Sequence, residues 1–285
     1  FNRLFINRGN ISFYDATNIS GLGGDAMPMG RKNWEHSAAA ADFFNDGNCD
    51  IIIGGWGQTT SFYQNRGGLH FTELKDVLGL PDHIFINTIT PADINGDGYL
   101  DLFLTDERLT NRLLLSDGKG GFSDRTESAG LSYFGPSRGA VFFDADNDND
   151  LDLYVANYGY PDMLYENLGK NRFTPVSLSL SLLTDSLSCT DVSTADIDSD
   201  GDFDLCVTTA ELTFLLKNNT SGRPARWSFS EQPLPFPAAV DEEATGSLFA
   251  DLNNNGLQDL FITTTGLNVL YLNRGKGQFA PVFPP

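Results

Sequence analysis

The apolar positions of this chain fall in short clusters, not along a helical stripe. Ile51-Ile52-Ile53, Val141-Phe142-Phe143 and Leu205-Cys206-Val207 are continuous apolar runs, each lying beside a loop rich in Asp, Asn and Gly. Runs this short, bounded by turn residues, read as strands. A strand that is apolar on both faces has to be covered on both, as when sheets stack face to face. The absence of any long 3.6-residue period excludes a helical solenoid.

The clusters recur. Aligned on the first acidic residue of each loop, Asp42, Asp93, Asp144, Asp196 and Asp251 mark a repeat of about fifty residues. A second marker, a turn of Asn-x-Gly type followed by Phe, runs through Asn7/Phe13, Asn65/Phe71, Ser116/Phe122, Asn167/Phe173, Asn218/Phe229 and Asn273/Phe279, with an insertion at 220–226 in the fifth copy. Each period predicts four strands. In the third full copy these are 139–144, 151–156, 163–166 and 172–176, the acidic loop joining the first pair and an Asn-Gly hairpin turn the last. The first strand is rich in small residues, as at 37–41 and Gly139-Ala140, which suits a crowded inner position.

Four-stranded units of this length predict an all-β chain, a β-propeller of five complete blades plus the outer two strands of another. The expected boundaries are a half blade at 1–20 and full blades at about 21–76, 77–127, 128–178, 179–233 and 234–285, in a single domain. The two missing strands are expected either after residue 285 or before residue 1. With no initiator Met or signal peptide, the chain is expected to be processed or part of a longer one.

Composition sharpens the picture in one respect. The chain has 285 residues, 40% of them hydrophobic, and a formal charge of −20. Such a charge argues against nucleic acid and against an anionic membrane surface, and no apolar run is long enough to span a membrane. The five loops hold 18 of the 38 acidic residues: Asp42, Asp46 and Asp50; Asp93, Asp97 and Asp101; Asp144, Asp146, Asp148, Asp150 and Asp152; Asp196, Asp198, Asp200, Asp202 and Asp204; Asp251 and Asp259. Carboxylates packed this densely repel one another, and an all-oxygen cage suits a hard cation such as calcium. Cys49, Cys189 and Cys206 offer no zinc spacing and at most one disulfide. Asn10, Asn18, Asn218 and Asn219 begin glycosylation sequons.

The run Asp-x-Asp/Asn-x-Asp/Asn-Gly-x-x-Asp-Leu, met at 93–102, 196–205 and 251–260, resembles the FG-GAP and VCBS repeats of calcium-binding propellers. That type occurs in integrin α-subunits and in secreted proteins similar to cartilage acidic protein. Phe134-Gly135 is present, but Val155-Ala156-Asn157 stands where the integrin type has Gly-Ala-Pro, which favours the VCBS-like branch. The resemblance implies calcium held by side chains at loop positions one, three, five and nine, with a carbonyl from position seven. The implied side-chain ligands are Asp93, Asn95, Asp97 and Asp101; Asp144, Asp146, Asp148 and Asp152; Asp196, Asp198, Asp200 and Asp204; and Asp251, Asn253, Asn255 and Asp259. Tyr99, Asp150, Asp202 and Leu257 would give carbonyls. The first loop has Phe44 at position three, leaving Asp42, Asp46 and Asp50 for a weaker site. Up to five calcium ions are expected, tightest in the loops at Asp144 and Asp196.

Two other motifs fail on context. An EF-hand needs Glu at position twelve, where this chain has Ile53, Leu104, Val155, Val207 and Ile262. Gly135-Pro136-Ser137-Arg138-Gly139 matches a nucleophile elbow, but all three histidines precede Ser137 and a strand follows it. The sequence therefore predicts a non-enzymatic extracellular calcium-binding scaffold with a protein or glycan ligand. The alternative is a calcium-dependent propeller that binds or cleaves polysaccharide, with His36, Arg31 and Lys32 as its one basic cluster. Partner binding is expected on the face away from the acidic loops, through Trp34, Trp56, Tyr133, Phe134, Tyr158 and Tyr160.

Overall fold

The computed structural model describes residues 3–10, 12–22, 34–58, 60–75, 77–81, 84–108, 110–222, 225–234 and 243–282. Among these described residues the order is almost wholly β, with two helices of four residues, α1 (Thr17–Ser20) and α2 (Ser181–Thr184). The chain divides into two compact units, 1–104 with 112–125, and 105–111 with 126–285.

The first unit opens with β1 (Phe5–Asn7) and β2 (Phe13–Asp15), an antiparallel pair that forms the expected half blade. Two blades follow. One contains β3 (Trp34–Ala41), β4 (Asp50–Gln58), β5 (Ser61–Asn65) and β6 (Phe71–Leu74), and the other β7 (Ile84–Ala92), β8 (Asp101–Asp106), β9 (Arg112–Ser116) and β10 (Phe122–Asp124). They are not separate sheets. β4 is long enough to outrun β5, and its end pairs with β7 through Trp56↔Phe85 and Gln58↔Ile84, joining the two blades into an eight-stranded sheet. Their shared core includes Phe43, Ile52, Phe62, Ile86 and Leu102.

The second unit holds three four-stranded meanders: β11 (Ser137–Phe143) to β12 (Asp152–Asn157), β13 (Met163–Asn167) and β14 (Phe173–Pro175); β15 (Cys189–Ala195) to β16 (Asp204–Thr209), β17 (Thr213–Asn218) and β18 (Phe229–Leu234); and β19 (Ala244–Ala250) to β20 (Asp259–Thr264), β21 (Val269–Asn273) and β22 (Phe279–Val282). The doubly apolar runs are explained here. Leu205 and Val207 pack into a core with Tyr154, Leu164 and Phe214, whereas Cys206 between them packs with Leu215, Leu260 and Tyr271 on the other face. Each middle strand thus serves two cores, as period-two side-chain alternation requires.

Small residues on the inner strands permit close approach. A Cβ on Gly139 would lie 3.0 Å from Val192 N and 3.1 Å from Asp191 Cα, so β11 and β15 come together where one of them has no side chain. Each inner strand also carries a register shift near its start, between Ser137 and Gly139, Cys189 and Asp191, and Ala244 and Gly246.

Candidate metal centre

All five acidic loops are built by the same bonds. The position-one aspartate accepts two backbone N–H groups: Asp42 from Asp46 and Gly47, Asp93 from Asp97 and Gly98, Asp144 from Asp148 and Asn149, Asp196 from Asp200 and Gly201, and Asp251 from Asn255 and Gly256. The position-five side chain accepts the N–H of position seven, at Asp46, Asp97, Asp148, Asp200 and Asn255. Position six has positive φ throughout, and Asn149 stands there at 72° in place of Gly. Position four is left-handed as well: Asn45, Gly96, Asn147, Ser199 and Asn254 all have φ between 52° and 70°. The sequence reading missed this second left-handed position, although three of its five residues are Asn, which tolerates that region.

The position-nine aspartates, Asp50, Asp101, Asp152, Asp204 and Asp259, are buried at the start of each blade's second strand. One oxygen of each accepts the N–H of position two, and the other accepts an N–H at the end of the third strand, from Asn65, Ser116, Asn167, Asn218 or Asn273. The recurring Asn of the hairpin turn is therefore an anchor of the acidic loop, and the two turns share one end of the blade. Asn218 and Asn273 also reach the preceding blade, donating to the carbonyls of Ala145 at 2.9 Å and Ile197 at 2.8 Å.

Charge is concentrated against burial in two of these loops. Oxygens of Asp144, Asp146 and Asp152 lie within 4.8 Å of one another, as do those of Asp196, Asp198 and Asp204. These are the two such groups of His, Cys, Asp and Glu among the described residues. The other loops lack an acid at position three, where Phe44, Asn95 and Asn253 stand. Asn253 turns its amide onto Asp259, donating to Oδ2 at 3.0 Å. Burial pushes the Asp152 carboxyl up to about 8 and that of Asp204 up to about 7, against the pull of their backbone N–H donors, with neighbouring carboxylates adding to the rise. Asp101 rises to about 6 and Asp50 also rises, again through burial first. Asp150 is lifted to about 7 by burial and by Asp148, and Asp146 is raised by burial, Asp148 and Asp144.

The residues fit a hard divalent cation. Asp146 Oδ1, Asp150 Oδ1 and Asp198 Oδ1 are buried without a hydrogen-bond partner, and an orphaned buried acceptor demands a counterpart. All the donor atoms are oxygens, the set that calcium takes.

Trp56 is half-buried, donating its indole N–H to Asn87 Oδ1 at 2.9 Å and stacking on His36 with ring centroids 5.0 Å apart. The Trp34 side chain, Arg31 and Lys32 lie outside the described residues. Phe134, Tyr158 and Tyr160 are exposed, and Tyr133 is half-buried. Tyr158 and Tyr160 sit on a loop closed by Asp162, which accepts the Asn157 N–H at 2.7 Å and the Tyr154 hydroxyl at 2.7 Å. Ser137 is buried, and its hydroxyl donates to Asn157 Oδ1 at 2.7 Å, an amide and not a general base. Asn10, Asn18 and Asn219 are exposed, but Asn218 is buried with its amide engaged, a position with no room for a glycan. All three cysteines are free thiols.

A model described as FG-GAP-like repeat matches residues 42–104, 93–155 and 144–207. The chain belongs to the FG-GAP-like repeat family. Each match runs from the first aspartate of one loop into the second strand of the next blade, so the repeat contains the loop geometry described above. Cartilage acidic protein 1 of Homo sapiens is 27% identical over 168 residues, which cover 55% of this chain and 24% of that protein. The Mus musculus protein is 26% identical over the same length, 55% of this chain and 25% of its own. The chain thus spans about a quarter of these relatives. A solved structure of an Agrocybe aegerita lectin, described by its specific recognition of non-reducing terminal N-acetylglucosamine, superposes with a TM-score of 0.64 at 20% identity, over 98% of this chain and 73% of that one. The fold is all-β and of the blade-repeat propeller class. Among the described residues no helix is long and apolar enough to cross a membrane.

Proposed function

We propose that this chain is an extracellular scaffold whose propeller blades are held by calcium at the acidic loops and whose opposite end binds a glycan or protein partner. The observation that carries the calcium reading is the set of orphaned buried carboxylate oxygens on Asp146, Asp150 and Asp198. Asp144, Asp146 and Asp152 would hold one ion and Asp196, Asp198 and Asp204 another, and a bound ion would neutralise carboxylates that burial now penalises. A cation bound only by the folded chain adds RT ln(1 + [L]/Kd) to its stability. The test is the melting temperature with excess calcium and with excess chelator. A higher value in calcium is expected, and an unchanged one overturns the reading.

Partner binding is supported by Phe134, Tyr158 and Tyr160, exposed on segments away from the acidic loops. The Arg138 guanidinium lies 4.7 Å over the Tyr158 ring and pairs with Glu107 at 2.7 Å, which orders the aromatic surface. A glycan partner draws support from the Agrocybe aegerita lectin of similar fold, which is described as recognising non-reducing terminal N-acetylglucosamine. The extracellular setting draws support from family membership and from the cartilage relatives. Tyr160→Ala is expected to weaken capture on a glycan array without changing the calcium-dependent melting temperature. Unchanged capture would remove this surface from the reading.

A further inference from the structure

The residue just before the loop-anchoring Asn or Ser differs among blades in the one property that matters to a cation. It is Gln64, Leu115, Glu166, Lys217 and Leu272 in order along the chain. Glu166 and Lys217 occupy the same register, each one residue before an Asn whose N–H binds the position-nine aspartate of its own loop. They stand in the blades of the two loops with three clustered carboxylates, and their charges are opposite.

We propose that this strand position sets how strongly each loop takes a divalent cation, Glu166 adding a carboxylate to the loop of Asp144 and Lys217 supplying a resident cation to the loop of Asp196. The inference rests on the calcium reading of the loops. Lys217 Nζ pairs with Asp198 Oδ2 and lies 3.6 Å from Asp200 Oδ2. The Asp198 side chain is only 6% exposed, and its Oδ1 still lacks a partner, so the ammonium satisfies half of that carboxylate. A divalent ion entering this loop has to compete with Lys217 for Asp198. In the other blade Glu166 holds the register from which Lys217 reaches its loop, while Asp146 Oδ1 and Asp150 Oδ1 have no partner. Calcium affinity follows the number of charged ligands. The loop of Asp196 should therefore bind the more weakly of the two, although its nine positions carry the same five aspartates.

The test uses the 285-residue chain and follows the backbone amide resonances of Asn149 and Gly201, one per loop, during a calcium titration. Gly201 should respond at higher calcium than Asn149. Lys217→Gln should lower the calcium needed at Gly201 by about tenfold and leave Asn149 unmoved, and Glu166→Gln should raise that needed at Asn149 by about tenfold and leave Gly201 unmoved. Lys217→Arg keeps the charge and should leave the Gly201 response near that of the parent. Lys217 is 38% exposed, so its replacement leaves no cavity, and spectral dispersion in saturating calcium confirms folding. If both amides titrate but neither substitution moves its own loop by more than about twofold, the tuning inference is overturned and calcium binding stands. If neither amide responds in the parent, calcium binding fails, and the inference with it.

Discussion

Replacing Asp162 with Asn tests whether burial or hydrogen bonding decides the state of the carboxyl that closes the Tyr158–Tyr160 loop. Asp162 is held at about 7, raised by burial against the pull of the Asn157 N–H, the Tyr154 hydroxyl and the Cys189 thiol. Its ordinary value is 3.8. At about 1.4 kcal/mol per pH unit, that difference amounts to up to about 4 kcal/mol. The folded chain holds this proton more tightly than the unfolded one. The stability it contributes is complete below the unfolded value, declines as the pH rises between about 4 and 7, and is absent above. Asn is nearly isosteric and neutral at every pH. Its Oδ1 can accept the Asn157 N–H, and its amide can donate to the Tyr154 hydroxyl.

Denaturant unfolding of both proteins at pH 5, 6, 7 and 8, all in saturating calcium, isolates this group, because the acidic loops titrate alike in the two. The stability of Asp162→Asn relative to the parent should rise from pH 5 to pH 8 by up to about 3 kcal/mol, the part of the span that lies above pH 5. A variant that instead loses ground as the pH rises would refute the reasoning, since the ionised carboxylate, charge-assisted by Tyr154 and Asn157, would then outweigh its burial.

Two further substitutions probe the backbone. Gly139→Ala should destabilise the chain by about 1–3 kcal/mol, because the new methyl meets main-chain atoms of Asp191 and Val192 that cannot yield as a side-chain end could; an unchanged thermal midpoint would show that β11 and β15 can separate. Ser199→Asn should stabilise by about 0.5–1 kcal/mol, because Ser199 holds φ at 63° in the loop position that three other blades fill with Asn. A lower midpoint would mean that Ser199 makes a compensating contact.

The blades could be read from the sequence because every repeat states them twice, in a doubly apolar strand and in a loop whose Gly and Asp spacing is local. Joining β4 to β7 was not legible, since it depends on how far β4 runs past β5 and not on any residue type. Asn218 shows the same limit from the other side: a sequon is a three-residue pattern, whereas the bond from Asn218 to Ala145 joins neighbouring blades. Charge followed the rule least. Counting aspartates within nine positions makes the third and fourth loops equals, five apiece. Their positions one, three and nine do converge in both. Yet the local count omits the third strand, which brings Lys217 onto one cluster from outside the motif and sets Glu166 at the same register in the blade of the other. In contact with a carboxylate that is largely buried, the Lys217 charge acts at the range of the loop's own aspartates. The electrostatics of these sites therefore belongs to the whole blade, and a motif match alone ranks them by the wrong sum.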